Sequence, residues 1–82
     1  MSAITVKFFA SLREEVGIAE TRVDATSIEG LMATLNHLLG AEKLTLLMRD
    51  NVRIAVNQTL IEGDCALSVG DEVAFLPPVT GG

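Results

Sequence analysis

The sequence has no tryptophan and no tyrosine, and three phenylalanines hold its aromatic content to 4% of 82 residues. An aromatic-rich interior is thereby excluded, and the 49% of apolar residues must build an aliphatic core of Leu, Ile, Val and Ala. One cysteine, Cys65, cannot close an internal disulfide or supply a cysteine-ligated zinc or iron–sulfur centre, which fits a reducing, cytoplasmic setting and no bound metal. Long apolar runs are missing as well. The uncharged stretch Leu31 to Ala41 is far short of the roughly 18–20 residues of a membrane span. The segment Met1 to Lys7 lacks the order of charge and apolar block that marks a signal peptide. No membrane partner is expected.

Basic residues are absent after Arg53. Residues 54–82 hold Glu62, Asp64, Asp71 and Glu72, and so carry most of the formal net charge of −5. That region would repel a phosphate backbone, and no basic stripe with interleaved aromatics occurs elsewhere, so nucleic-acid binding is excluded. A protein partner with a basic face fits better. A single small domain buries only about 60–65% of its unfolded surface, which leaves little from which to build a deep pocket. No nucleophile–base constellation and no phosphate-cradling glycine loop is present, so catalysis by the chain alone is not expected.

Ile4-Thr5-Val6-Lys7-Phe8-Phe9 alternates with period two, the pattern of a half-buried strand. Ser11 and Glu14 stand at capping-box spacing, and Gly17 is placed to stop a short helix. Glu20 to Asp24 alternates again as a polar strand at or near an edge. Ile28, Leu31, Met32, Leu35, Leu38 and Leu39 fall on one helical face, with Thr26 and Glu29 as a second capping box and Gly40 as terminator, which predicts the main helix over 27–39. Gly30 inside it implies a close contact. Leu44, Leu47 and Met48 have the spacing of a further short helix over 41–49. Residues 52–57, 60–61 and 72–76 read as strands, the last ended by Pro77-Pro78.

Two strands, one long helix and two or three further strands are too few for a doubly wound sheet. They predict an α+β, β-grasp (ubiquitin-like) mixed sheet over residues 1–76, with the first and last strands side by side and one main helix across one face. Residues 77–82 form an extended tail. Ile4, Val6, Phe8, Ile54, Val56, Val73 and Phe75 then face the helix, and strand phase places Phe9 and Leu76 on the other face beside Leu60. These three form an exposed apolar patch unless residues 41–49 fold over them.

The tail reads Pro77-Pro78-Val79-Thr80-Gly81-Gly82. Two prolines favour an extended exit from the sheet, and two glycines present no side chain to a narrow channel. Six residues reach about 20 Å, comparable to the ~12 Å radius of gyration of such a domain, so the terminal carboxylate can be delivered into another protein.

Phe8-Phe9-Ala10, Leu12-Arg13-Glu14 and Gly17, then Ala55-Val56-Asn57-Gln58, and finally Gly70-Asp71-Glu72-Val73-Ala74-Phe75-Leu76-Pro77-Pro78-Val79-Thr80-Gly81-Gly82 together resemble the small, sulfur-carrier subunit family of molybdopterin synthase (the MoaD family). The resemblance implies a protein cosubstrate. An adenylating enzyme similar to ubiquitin-activating enzymes would use ATP and Mg²⁺ to activate the Gly82 carboxylate. Sulfur from a cysteine desulfurase would then leave a C-terminal thiocarboxylate. The large synthase subunit would receive the tail and use the sulfur to convert cyclic pyranopterin monophosphate into molybdopterin, within a heterotetramer. By the same resemblance Gly82 is the reacting residue, Gly81 the channel-fitting one, Thr80, Val79 and Pro78 the rest of the tail, and Phe9, Leu60 and Leu76 the docking patch. The chain itself would bind no cofactor.

Two other functions stay open on sequence: a sulfur carrier for thiamin or tRNA thiolation or a ubiquitin-like modifier, and a β-grasp interaction module with an inert terminus. Cys65 has no base near it in sequence, and His37 lies off the apolar stripe with no second ligand; neither is assigned a role.

Overall fold

The computed structural model of the protein describes residues 3–77. Five strands and three helices follow one another as β1 (Ala3–Phe8), α1 (Ala10–Val16), β2 (Glu20–Asp24), α2 (Ile28–Leu39), α3 (Ala41–Leu47), β3 (Arg53–Val56), β4 (Thr59–Ile61) and β5 (Glu72–Leu76). The strands form one sheet in the order β2-β1-β5-β3-β4. β1 and β5 run parallel at its middle, and every other pairing is antiparallel. This is the β-grasp arrangement expected from the element order.

Period-two alternation decides the two sides of the sheet. Ile4, Val6 and Phe8 of β1 and Val73 and Phe75 of β5 are buried in one cluster with Ile28, Leu31 and Leu35 of α2. Ile54 and Val56 of β3 are half-buried against the same cluster. The core is aliphatic apart from one ring pair, Phe8 and Phe75, which register places side by side and whose centroids stack 5.6 Å apart. Leu12 and Val16 of α1, Val23 of β2, Ala25, Leu47 of α3 and Leu67 complete the cluster. The apolar stripe of α2 is narrower than its spacing suggested: Met32 and Leu39 are half-buried, and Leu38 is exposed.

Helix ends differ from expectation in an instructive way. The Ser11–Glu14 capping box is not used. Phe9 is the N-cap of α1, its carbonyl accepts from the N–H groups of Leu12 and Arg13, and no side chain caps the helix. The cause is Ala10, whose φ of 50° swings the chain out of β1 and starts the helix before Ser11. An alanine in this left-handed region costs about 1–2 kcal/mol. Gly17 ends α1 as expected, at φ 95°, with its N–H donating to the Arg13 carbonyl at 2.9 Å. For α2 the cap is Ser27 rather than Thr26: its Oγ accepts from the Gly30 N–H at 3.0 Å. The next open donor, the Glu29 N–H, is taken by Asp64 Oδ1 at 2.9 Å from a distant loop. A Cβ on Gly30 would stand 3.4 Å from the Ser27 hydroxyl, an ordinary contact, so nothing around this glycine demands its absence.

Residues 41–47 are helical, and α3 packs against α1 and α2. It joins the helical layer and leaves the opposite face of the sheet uncovered by any described element.

Candidate functional site

The uncovered face is built by register. Lys7 of β1 is paired with Ala74 of β5, Ala74 with Ala55 of β3, and Ala55 with Leu60 of β4, so one row of side chains crosses the sheet. Two alanines at its middle make a low floor between a longer side chain on either side. Two residues beyond Lys7 and Ala74 in the same two chain segments, on the same face, Phe9 and Leu76 close the end from which the chain leaves the sheet into Pro77. Glu72 and Gln58 close the other end, and the hollow so enclosed measures about 380 Å³. Phe9, Leu60 and Leu76 are thus brought to one surface. Phe9 is 44% and Leu60 62% exposed, while Leu76 is half-buried.

Pro78, Val79, Thr80, Gly81 and Gly82 lie outside the described residues. Of the tail, only Pro77 is described, directly after the last residue of β5.

The polar part of this face has its own supports. Lys7 Nζ and Glu72 Oε1 are 2.8 Å apart. The hydrogen bond to Glu72 and its negative charge raise the pKa of Lys7 above its ordinary 10.5. Gln58 sits in the two-residue turn between β3 and β4, where Asn57 has φ 50° and Gln58 φ 70°. Two successive positive φ values define the tight hairpin whose twist matches the strands it joins, and asparagine tolerates the conformation far better than glutamine. The Asn57 side chain is also a clamp. Its Nδ2 donates to Asp71 Oδ1 and its Oδ1 accepts from the Glu72 N–H, both at 3.0 Å, while its own backbone N–H donates to the Glu72 carbonyl at 2.8 Å. Asp71 Oδ2 in turn accepts from the Ser68 N–H at 2.8 Å. These donors, Ser68 first and Asn57 second, hold the Asp71 carboxyl below its usual 3.8. The hairpin that carries Leu60 is thereby tied to the start of the strand that carries Leu76.

Sequence reasoning located the three large apolar residues of the hollow but not Lys7, Ala55, Gln58, Glu72 or Ala74. Strand phase alone puts Lys7, Ala55, Glu72 and Ala74 on this face; the missing step was the β3–β5 register that sets the two alanines together. A second hollow, of about 630 Å³, lies at the end of α3 between Thr45, Met48, Arg49, Asp50 and Asn51, and is the more open of the two. Among the described residues, no three His, Cys, Asp or Glu side chains come together as a metal site, and no helix is long and apolar enough to cross a membrane. Cys65 is half-buried against the core, and His37 is exposed.

Comparison with known proteins sets this face in context. The sequence profile of the ThiS family matches residues 6–82. The molybdopterin synthase sulfur carrier subunit of Escherichia coli K12 is 44% identical over 81 residues, which cover 96% of this chain and 99% of that protein. Among solved structures, a Helicobacter pylori complex of subunits 1 and 2 of molybdopterin-converting factor contains a chain that superposes with a TM-score of 0.74 at 28% identity, covering 98% of this chain and 99% of that one. The small archaeal modifier protein 1 of Methanosarcina acetivorans superposes with a TM-score of 0.81 at 27% identity, covering 100% and 98%. With the fold, the near full-length identity and the family match in agreement, this chain belongs to the ThiS family, as a member of the molybdopterin synthase sulfur-carrier type.

Proposed function

We propose that this protein carries sulfur for molybdenum-cofactor synthesis, with the carboxylate of Gly82 as the group that is loaded and the hollow bordered by Phe9, Leu60 and Leu76 as the surface that docks on the large synthase subunit. The observation that carries this reading is the 44% identity to a sulfur carrier subunit across nearly all of both chains. A free carboxylate is a poor electrophile. An activating enzyme of the ubiquitin-activating type, using ATP and Mg²⁺, joins AMP to Gly82 with loss of pyrophosphate. Sulfur mobilised from cysteine by a desulfurase as a persulfide then displaces AMP, and a thiol reductant cleaves the resulting acyl disulfide to leave the thiocarboxylate. Sulfur is softer and more nucleophilic than the oxygen it replaces. Docking of the tail in the large subunit positions it near the pterin precursor and keeps water away. Each delivery returns Gly82 to a carboxylate, and two deliveries convert cyclic pyranopterin monophosphate into the dithiolene of molybdopterin.

The fold's contribution is mechanical. β5 is paired with β1 as far as Phe75 and with β3 as far as Leu76, so the tail begins from a fixed point in the sheet. That point adjoins Phe9 on the open face, which supports a single binding event that seats the patch and threads the tail. The H. pylori pairing of subunits 1 and 2 supports the large subunit as partner. A cytoplasmic location, with the activating enzyme and desulfurase as further partners, belongs to the same reading.

The test is the intact mass of the protein after incubation with the activating enzyme, ATP and a sulfur donor. A sulfur-for-oxygen gain confined to Gly82 is expected, followed by its loss when the large subunit and pterin precursor are added. No gain under these conditions overturns the reading in favour of an inert interaction module. Gly81→Ala is expected to stop sulfur transfer without altering the fold, because a β-carbon there collides with a channel that fits bare backbone; normal molybdopterin formation by that variant removes the channel argument. The likeness to the small archaeal modifier favours a second reading, attachment of Gly82 to lysines of other proteins, which adducts of higher mass in the same experiment would reveal.

A further inference from the structure

The hollow on the open face is lined by apolar side chains except at one end, where Gln58 stands near the only two charges among its lining residues, Lys7 and Glu72. Their 2.8 Å contact joins β1 to β5, and the side chains remain 36% and 31% exposed. In the free carrier such a half-solvated pair contributes little to folding, since water screens both charges. The situation changes when a partner covers the face. A surface seated on Leu60 and Leu76 also lies over the hollow between them and the pair, and strips the remaining water from both groups together.

Two opposite charges already at hydrogen-bond distance can be enclosed as a neutral unit, whereas one charge enclosed alone is costly. The pair also limits what can be set against it. An acid offered to Lys7 meets the Glu72 carboxylate, and a base offered to Glu72 meets the Lys7 ammonium. Glu20, paired with Lys7 across the β1–β2 register, is exposed and does not line the hollow, so the unit enclosed there is the neutral Lys7–Glu72 pair. A partner surface neutral at this point fits; one with an unmatched charge is rejected.

We infer that the Lys7–Glu72 pair is a specificity-determining element of the docking face, enclosed intact against a neutral patch of the large synthase subunit. The inference rests on the docking reading above and adds to it a requirement on the partner's surface.

A double-mutant cycle tests it, with the full-length carrier, the purified large subunit and dissociation constants measured at one fixed salt concentration. The variants are Lys7→Met, Glu72→Leu and the two combined, with Leu60→Asp as a separate probe of docking. Each single change is expected to weaken binding at least about 10-fold, by leaving one charge enclosed without its partner. The double variant is expected to regain affinity to within about threefold of the parent, and all three carriers to keep the parent's thermal midpoint, a combination that a merely structural role does not produce. Single losses below about twofold, or losses that multiply in the double variant as two independent contacts would, overturn the inference. If Leu60→Asp abolishes binding in that case, the docking reading stands without it; if Leu60→Asp binds as the parent does, the docking reading itself falls.

Discussion

On the covered face of the sheet, Ile4, Val6, Phe8, Val73 and Phe75 pack with α2 at 2% exposure or less. On the other face, their neighbours in the same strands, Lys7, Glu72, Ala74 and Leu76, line an open hollow with an ion pair at one end. Backbone and hydrogen bonding are common to both faces, so the contrast lies in the side chains alone. Large branched and aromatic groups fill the covered face and complete their burial within the chain, where it stabilises the fold. Small alanines flanked by larger residues leave the open face concave. Its apolar area is still in contact with water and becomes a driving force only when a second protein arrives. On the proposed reading, one sheet thus separates what holds the domain together from what meets a partner, by a shift of a single residue along each strand.

The comparison breaks most visibly if substitutions on the two faces have similar effects. Phe75→Ala removes half of the ring stack from a fully buried position and is expected to destabilise the fold by about 3–5 kcal/mol, read from denaturant midpoints. Leu60→Asp is expected to change stability by under about 1 kcal/mol while abolishing detectable binding to the large subunit. Loss of folding by Leu60→Asp comparable to that of Phe75→Ala would show that the open face is structural after all.

A smaller effect sharpens the contrast at the hairpin. Gln58 holds φ 70° where glycine is at ease, so Gln58→Gly is expected to stabilise the free domain by up to about 1 kcal/mol. If the open face is shaped for recognition, the same variant binds the large subunit more weakly despite its higher melting temperature. Equal or tighter binding would remove Gln58 from the docking surface.

The smallest effect is the pH response of the clamp. The Asp71 carboxyl titrates below its ordinary value of 3.8 in the folded state because Ser68 and Asn57 donate to its charged form. Its contribution is therefore present above the unfolded pKa and is lost as pH falls through the lowered folded one. Comparing the parent with Asp71→Asn by denaturation from about pH 6 down to about pH 2 should show the parent's advantage shrinking toward the acid end. An advantage that is independent of pH would mean that the carboxylate's charge plays no part. The carboxylate is exposed, so screening keeps this effect small.

Much of this arrangement was legible beforehand, for reasons that differ from element to element. The β1 alternation and the α2 stripe are local repeats whose period matches the backbone geometry, so Ile4, Val6, Phe8, Leu31 and Leu35 could be assigned inward without a partner strand in view. Gly17 announced the end of α1, since a left-handed residue is where glycine is least costly. Ala10 gave no such signal: nothing in an alanine foretells a φ of 50°, and the Ser11–Glu14 capping box was lost to the earlier helix start it causes. The Asn57–Asp71 clamp and the Asp64 contact to the first turn of α2 were equally hidden, because each joins residues far apart in sequence.

For the candidate site the division is similar. Phe9, Leu60 and Leu76 followed from strand phase, and the resemblance in Ala55-Val56-Asn57-Gln58 and in Gly70 to Gly82 pointed to the carrier family that the comparisons then supported. The hollow between them did not follow. It exists because Ala74 faces Ala55 across the β3–β5 register while Lys7 of β1 and Leu60 of β4 flank them on either side. By itself, then, the sequence determined which side of each strand turns inward, since alternation is a property of the extended backbone over a few residues. Only the tertiary structure decided which outward residues became neighbours. Register between distant strands is settled by packing of the whole core and by the closure of the loops between them, and neither is written in any one segment.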